Sequence, residues 1–232
     1  MSKIYVCACA SRSFIRKAEV ARLAAQLKAR GCDVELLADL CEMSADKDVR
    51  MAELQGQVVV ACHERAVRSL LARCGVEAGQ LLNLRMESVE AVCQKACPGM
   101  AMASDADVAA EQQVLDAMPV KDGTDAWNPT LDKTRCIECK KCREFCPFGV
   151  YELVDGAVTV VHPHSCKNNC PACARQCPTK AIIFPKYAES PINGGLEDED
   201  KAVQLDTKEL YSSALRDRLK ARRESVSLLK KD

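Results

Sequence analysis

The chain has 232 residues, which is enough for one large domain or two small ones. Its 33 basic and 33 acidic side chains balance, so no general affinity for nucleic acid is implied, and the 4% aromatic content argues against a base-stacking surface. Because 16 cysteines occur with no apolar run of transmembrane length and no evident signal peptide, we expect a reducing, cytoplasmic setting in an anaerobe and thiolates that bind metal.

Strand and helix patterns alternate over residues 1–100. The strands are expected at 3–7, 33–37, 57–61 and 80–84, and the helices at 14–30, 64–73 and 86–96. This alternation predicts an α/β domain with a parallel sheet and flanking helices. Since neither a Gly-x-Gly-x-x-Gly nor a Gly-x-x-x-x-Gly-Lys loop is present, a nucleotide site in this domain is not expected.

Thiols follow each of the predicted strands. They are Cys7 and Cys9, then Cys41, then Cys62, then Cys93 and Cys97. Ligands of open parallel sheets gather at the carboxyl ends of the strands, so these segments predict a site for a metal cluster. The alternative is that they are small core residues, the interpretation that we give to Cys32 and Cys74 at helix ends.

The same segments resemble the amino-terminal domain of the flavin-containing subunit of heterodisulfide reductase. The matching residues are Val6-Cys7-Ala8-Cys9, Asp39-Leu40-Cys41, Val58 to Arg65, and Asn83-Leu84-Arg85 with Cys93. The resemblance implies a 4Fe–4S cluster held by Cys9, Cys41, Cys62 and Cys93, with Cys7 and Cys97 as alternates. Ala10 replaces the family's glycine after the first Cys-x-Cys, and His63-Glu64 replaces its Ser-Pro.

Residues 101–128 are predicted to form a helix and a linker. The helix is expected from Ser104 to Met118, with Ser104 or Asp105 as its cap. Asp122-Gly123 and Asn128-Pro129 are typical of turns and indicate the linker.

Eight further cysteines form two similar runs. They are Cys136-x-x-Cys139-x-x-Cys142-x-x-x-Cys146-Pro147 and Cys166-x-x-x-Cys170-x-x-Cys173-x-x-x-Cys177-Pro178. This pattern is typical of paired 4Fe–4S clusters, in which the fourth cysteine of each run binds the other cluster. One cluster should then be held by Cys136, Cys139, Cys142 and Cys177, and the other by Cys146, Cys166, Cys170 and Cys173.

Other uses of these cysteines fit the spacing less well. Zinc sites usually pair two Cys-x-x-Cys knuckles or combine cysteine with histidine, and disulfides are not expected in a reducing compartment. Cys166, Cys170 and Cys173 also match the three-cysteine pattern of radical S-adenosylmethionine enzymes, but fourth ligands are at hand in Cys146 and Cys177.

Residues 129–187 resemble a bacterial-type ferredoxin domain with two 4Fe–4S clusters. One departure is the second run, in which three residues (167–169) replace the usual two. Strands at 150–154 and 157–161 flank Asp155-Gly156, which predicts a hairpin, and 181–184 is a further short strand. Apolar side chains should exclude water from the clusters, namely Ile137, Phe145, Phe148, Val150, Ile182 and Phe184.

Basic side chains lie in or beside the cluster loops. They are Lys140, Lys141, Arg143, Lys167, Arg175 and Lys180. Two interpretations stay open: they compensate the cluster charge or bind an acidic partner, or they are ordinary solvated surface. Residues 188–205 are predicted to be a linker, and 206–232 a basic helix that either binds a partner or folds back on its own chain.

No catalytic set is evident, because His63 adjoins Cys62, His162 and His164 precede Cys166, and no nucleophile with a base is present. We therefore predict a non-catalytic electron-transfer subunit of an oxidoreductase complex, with a flavin- or cluster-containing oxidoreductase as its redox partner. A disulfide or thiol reductase that acts at the amino-terminal cysteines, and a cluster-based redox sensor, are the alternative hypotheses.

Overall fold

Four short parallel strands form one sheet in the computed structural model, which describes residues 3–120 and 125–196. They are β1 (Ile4–Cys7), β2 (Val34–Leu37), β3 (Val58–Ala61) and β4 (Gln80–Asn83), in the order β2-β1-β3-β4. The central strands β1 and β3 are buried along their whole length, because helices cover both faces of the sheet. The predicted parallel sheet with flanking helices is confirmed.

Helices cover the sheet in two groups. One face packs against α1 (Lys17–Ala29), α4 (Val89–Ala96) and α5 (Asp105–Asp116). The other face packs against α2 (Leu40–Asp46), a 3₁₀ helix (Val49–Leu54) and α3 (Glu64–Arg73). The helix α2 was not predicted; it begins at Asp39, whose carboxylate accepts a hydrogen bond from the Cys41 backbone N–H at 3.1 Å.

Shorter elements surround the two cysteine runs. The strand β5 (Thr130–Leu131) pairs antiparallel with β8 (Ile182–Ile183), and β6 (Tyr151–Val154) pairs antiparallel with β7 (Ala157–Val160). The helices here are α6 (Lys141–Phe145) and α7 (Ala172–Gln176), with a 3₁₀ turn at Pro163–Ser165. The hairpin predicted at Asp155-Gly156 is present, and both turn residues have positive φ, at 50° and 80°.

The amino-terminal half (residues 3–120) and the ferredoxin half (residues 125–195) pack against each other, and together they form one compact unit. On α3, Arg65 donates hydrogen bonds to the carbonyl oxygens of Lys180 at 2.9 Å and Pro191 at 2.7 Å. A Cβ on Gly194 would lie 2.7 Å from the Ala66 Cβ, so this segment lies directly on α3. The described part of the predicted linker at 188–205 is thus packed, whereas the predicted helix at 206–232 lies outside the described residues. The division into domains at 100 and 129 stays a prediction.

Cys32 and Cys97 form a disulfide. Cys32 packs against the core as predicted, but it is paired rather than free. Cys97 as an alternate cluster ligand stays a prediction, which requires this disulfide to be reduced. Beside the disulfide, Arg30 at the end of α1 donates a hydrogen bond to the Cys97 carbonyl oxygen at 2.7 Å, which adds a second link between the ends of α1 and α4. In the ranges that the structure describes, every helix is too short or too polar to cross a membrane.

Candidate metal centres

The loop of the first cysteine run has a strained backbone. Glu138 and Lys140 have positive φ values of 52° and 63°, a conformation that costs a residue with a side chain about 1 kcal/mol. Such residues persist where the surrounding structure requires them, as ligand-binding loops do. The turn then leads directly into α6, on which Cys142 lies.

Four cysteines from the two runs line a single cavity. Cys136, Cys139 and Cys142 of the first run face it, and Cys177 reaches it from the end of the second run. Apolar side chains of Val158 and Ile182 complete its wall. These are the four cysteines predicted for the first cluster, so the crossed ligation stays a prediction that is compatible with their positions.

The other four cysteines also lie near one another. Burial raises the pKa of Cys166 to about 12, and the neighbouring Cys173, Cys170 and Cys146 act in the same direction. Mutual repulsion of this kind requires the sulfur atoms to be close. A bound metal removes that repulsion, because it binds the deprotonated thiolates.

Tyr151 lies between the two sets of cysteines. Its hydroxyl group is within hydrogen-bond distance of the Cys173 Sγ, at 3.1 Å, in a buried position on β6. Burial raises the pKa of Tyr151 well above its ordinary value, and the charges of Cys173, Cys142 and Cys166 act in the same direction. Because Cys142 belongs to the first set and Cys166 to the second, the two candidate sites are adjacent.

Cys177 is held in an environment that favours its thiolate. Burial on its own raises the pKa, but hydrogen bonds from the Ala181 backbone N–H, at 3.3 Å, and from Thr179 outweigh it, so the pKa of Cys177 is lowered. Hydrogen bonds to sulfur of this kind are among the contacts that tune metal–thiolate sites.

The longer loop of the second run is bound to the amino-terminal half. Its additional residue is accommodated by Asn169, whose φ of 60° is one that asparagine adopts more readily than most residues. The Asn169 side chain accepts a hydrogen bond from Arg12, and Asn168 donates one to Asp125 at 2.8 Å. Sequence spacing identified the longer loop but not these contacts.

The expected apolar enclosure is only partly present. Val150, Ile182 and Phe184 are buried. Ile137, Phe145 and Phe148 are 62%, 44% and 42% exposed. Ile137 nevertheless also lines the cavity of the first four cysteines, so the part of these three side chains in excluding water stays a prediction. They lie on the cluster loop, at the end of α6 and just beyond it.

A second group of thiols lines a cavity at the carboxyl edge of the parallel sheet. Cys7 is the last residue of β1, and Cys9, Cys41 and Cys62 follow β1, β2 and β3 in turn. All four face this cavity, which we call the thiol cavity. In a sheet of order β2-β1-β3-β4, the connections from β1 and β3 diverge, which opens a crevice where ligands of such sheets bind. Burial raises the pKa of Cys62 to about 11.

Cys93 does not line the thiol cavity. It is buried within α4, against the core on the α1 side of the sheet, where burial raises its pKa. The helix carries it away from the strand end that precedes it, which its position in the sequence does not show. Cys74 lies on the α2 and α3 side, where its Sγ is 3.8 Å from the Ser44 carbonyl oxygen.

Lys186 is a residue of this cavity that the sequence analysis missed. Its side chain is 2% exposed, and its Nζ lies 2.7 Å from an Asp39 carboxylate oxygen and 3.0 Å from the Cys9 Sγ. Burial lowers the pKa of Lys186, but the negative charges of Cys41, Asp39 and Cys9 outweigh it and raise the pKa well above its ordinary value. No sequence pattern distinguishes this lysine from an exposed one.

Comparison with known proteins identifies the second half of the chain. The model of the 4Fe-4S dicluster domain family matches residues 128–178. The pyruvate synthase subunit PorD of Methanothermobacter marburgensis is 40% identical over 65 residues, which are 27% of this chain and 74% of PorD. The chain belongs to the 4Fe–4S dicluster ferredoxins. This ferredoxin domain implies two 4Fe–4S clusters, and its two sets of four thiols fit them in number and kind.

Two other relatives match this chain over the ferredoxin domain. An uncharacterized ferredoxin, MJ0251 of Methanocaldococcus jannaschii, is 49% identical over 61 residues, 26% of this chain and 42% of the relative. A putative electron transport protein, YsaA of Escherichia coli, is 39% identical over 56 residues, 22% of this chain and 36% of the relative. The chain thus spans less than half of the length of these two relatives.

Proposed function

We propose that this protein relays electrons to or from a partner oxidoreductase through the two clusters of its ferredoxin domain and a third in the thiol cavity. The observation that carries the proposal is the cavity where Cys136, Cys139 and Cys142 meet Cys177 of the other run. Clusters of this kind accept and release single electrons at potentials that the protein environment sets. Two adjacent sites suit a relay, because electrons then pass between them over a short distance.

The third cluster is proposed at Cys7, Cys9, Cys41 and Cys62. These four thiols share one cavity at the topological switch point of the sheet, whereas Cys93 and the disulfide-bonded Cys97 lie apart from it. A cluster site at the sheet edge is therefore kept as predicted, but Cys7 takes the place of Cys93 among its four ligands. The resemblance to the flavin-containing subunit of heterodisulfide reductase supports a cluster here.

The partner is proposed to bind beside α6, on a surface that is both basic and apolar. Exposed Ile137, Phe145 and Phe148 lie among the exposed basic side chains of Lys140, Lys141 and Arg143. Exposed apolar side chains rimmed by charge are typical of protein interaction sites. The matching partner surface has an apolar centre and an acidic rim, and we propose a flavoprotein as its owner. PorD, named as a subunit of pyruvate synthase, is a precedent for a dicluster ferredoxin that works within an enzyme.

The relay is tested on the full chain after anaerobic reconstitution. About eight iron atoms are expected from the ferredoxin domain and about twelve if the thiol cavity also holds a cluster. Cys146→Ser should lose the cluster of Cys166, Cys170 and Cys173 and leave the cluster of Cys136 intact, as spectra of the reduced protein would show. Cys74→Ser, which changes a thiol outside the three sites, is the matched control.

Three outcomes would contradict the proposal. Zinc in place of iron would exclude a relay. If Cys146→Ser damaged only the cluster of its own run, the crossed ligation would be wrong. Turnover of a disulfide substrate by the isolated chain would favour the reductase hypothesis instead.

A further inference from the structure

Lys186 brings a positive charge from the ferredoxin half into the cavity of the amino-terminal half. It follows β8 by three residues, yet its ammonium group lies among groups that follow β1 and β2. A buried ammonium group is costly unless it is paired. Asp39 provides that pair at 2.7 Å, and the Cys9 Sγ at 3.0 Å is a second acceptor.

Asp39 is already shared by other donors. One of its oxygens accepts from the Cys41 backbone N–H at 3.1 Å, and the other accepts from the Ser11 hydroxyl group at 2.5 Å as well as from Lys186. The carboxylate is therefore fixed from the loop after β1, from α2 and from the ferredoxin half at once. Its position holds the ammonium group toward the thiols rather than toward solvent.

The backbone at Lys186 is also fixed. Arg12 donates a hydrogen bond to the Lys186 carbonyl oxygen at 3.1 Å, stacks its guanidinium group over Trp127 at 4.9 Å and contacts Asn169 in the second cluster loop. The segment that carries Lys186 is thus tied to both the thiol cavity and the ferredoxin loop that leads to Cys170.

We propose that Lys186 is a positioning residue of the amino-terminal cluster site and that its ammonium group sets the charge of that site. The site is then built from residues of both halves. This inference rests on the proposed third cluster. Four thiolates around a cluster accumulate negative charge, and reduction adds more. A fixed positive charge nearby stabilises the reduced form, and so raises the reduction potential. Lys186 would then keep the third centre within reach of electrons from the ferredoxin clusters.

The test compares three variants of the full-length protein, each reconstituted anaerobically. Lys186→Met removes the charge and keeps much of the side-chain volume, and Lys186→Arg keeps the charge. Lys3→Met is the control, because Lys3 precedes β1 at the opposite end of the sheet and pairs with Glu35 at 2.5 Å. The measurements are iron content, circular dichroism and a potentiometric titration followed by electron paramagnetic resonance.

We expect Lys186→Met to shift the potential of the third cluster to more negative values, or to lose about four iron atoms while about eight remain. Lys186→Arg keeps the charge, so it should retain most of the iron content and potential of the unmodified chain. Lys3→Met should match the unmodified chain. If the chain holds about twelve iron atoms and Lys186→Met leaves every potential unchanged, the role of Lys186 is wrong and the third cluster stands. If the unmodified chain holds only about eight, the third cluster fails and this inference fails with it.

Discussion

At the scale of single residues, the contact between the Tyr151 hydroxyl group and the Cys173 Sγ, at 3.1 Å, is a testable determinant of potential. Hydrogen bonds to sulfur stabilise the reduced, more negative state of a cluster. We expect Tyr151→Phe to keep the iron content and to shift the potential of the cluster at Cys173 to more negative values. A potentiometric titration of the anaerobic protein would measure the shift.

Tyr5→Phe is the matched control for this experiment. Tyr5 lies on β1, and its hydroxyl group contacts Glu53 at 3.4 Å, far in the chain from either ferredoxin run. Loss of this contact should leave the cluster potentials unchanged. An unaltered potential in Tyr151→Phe would mean that the hydroxyl group does not donate to the sulfur.

The sequence groups the ferredoxin cysteines into candidate cluster sites but gives no sign of Lys186, for a physical reason. A cluster imposes short, fixed spacings on its thiolates, so the spacing of Cys136, Cys139 and Cys142 in the sequence is enough to indicate a cluster loop. Lys186 contacts Asp39 and Cys9, which lie 147 and 177 residues away in the chain. Only the packing of the two halves brings these groups together.

At the scale of elements, α3 joins the halves through Arg65. Its guanidinium group is largely buried and donates to three carbonyl oxygens of the ferredoxin half, and burial lowers the pKa of Arg65. Arg65→Ala would leave these carbonyl groups without the charged donor, so we expect a loss of about 1–3 kcal/mol in the free energy of unfolding. Denaturant unfolding of the reconstituted protein would measure it.

Arg68→Ala provides the comparison, since Arg68 is an exposed residue one turn along the same helix. It should change the free energy of unfolding by less than about 0.5 kcal/mol. Equal effects of the two substitutions would show that the contacts of Arg65 contribute nothing beyond helix propensity.

The elements themselves were predictable where the apolar period is long. The helix expected at 64–73 has those bounds, and the central strands agree to within a residue. The seven-residue helix α2 was not predicted, because its formation depends on the Asp39 cap and on the burial of Leu40 and Met43 against the sheet. Short elements carry too little periodicity to be separated from loops.

At the scale of the whole molecule, the contacts between the halves predict that they unfold together. The single tryptophan, Trp127, is buried at their junction, where it stacks on Phe184 at 5.1 Å and lies under the Arg12 guanidinium group. Its fluorescence reports the junction, while far-ultraviolet circular dichroism reports mainly the long helices α1 and α5 of the amino-terminal half.

We expect both signals to change at the same denaturant concentration when the reconstituted protein is unfolded without oxygen. Arg12→Ala removes the stacking and the hydrogen bond to Lys186 and should lower both midpoints together, whereas Arg22→Ala, which breaks only an exposed pair with Glu90, should change neither. Because bound metal complicates two-state analysis, the midpoints rather than extrapolated energies are compared. If the fluorescence changed at a lower denaturant concentration than the circular dichroism, the two halves would be separately folded domains. The thiol cavity would then have to form without Lys186.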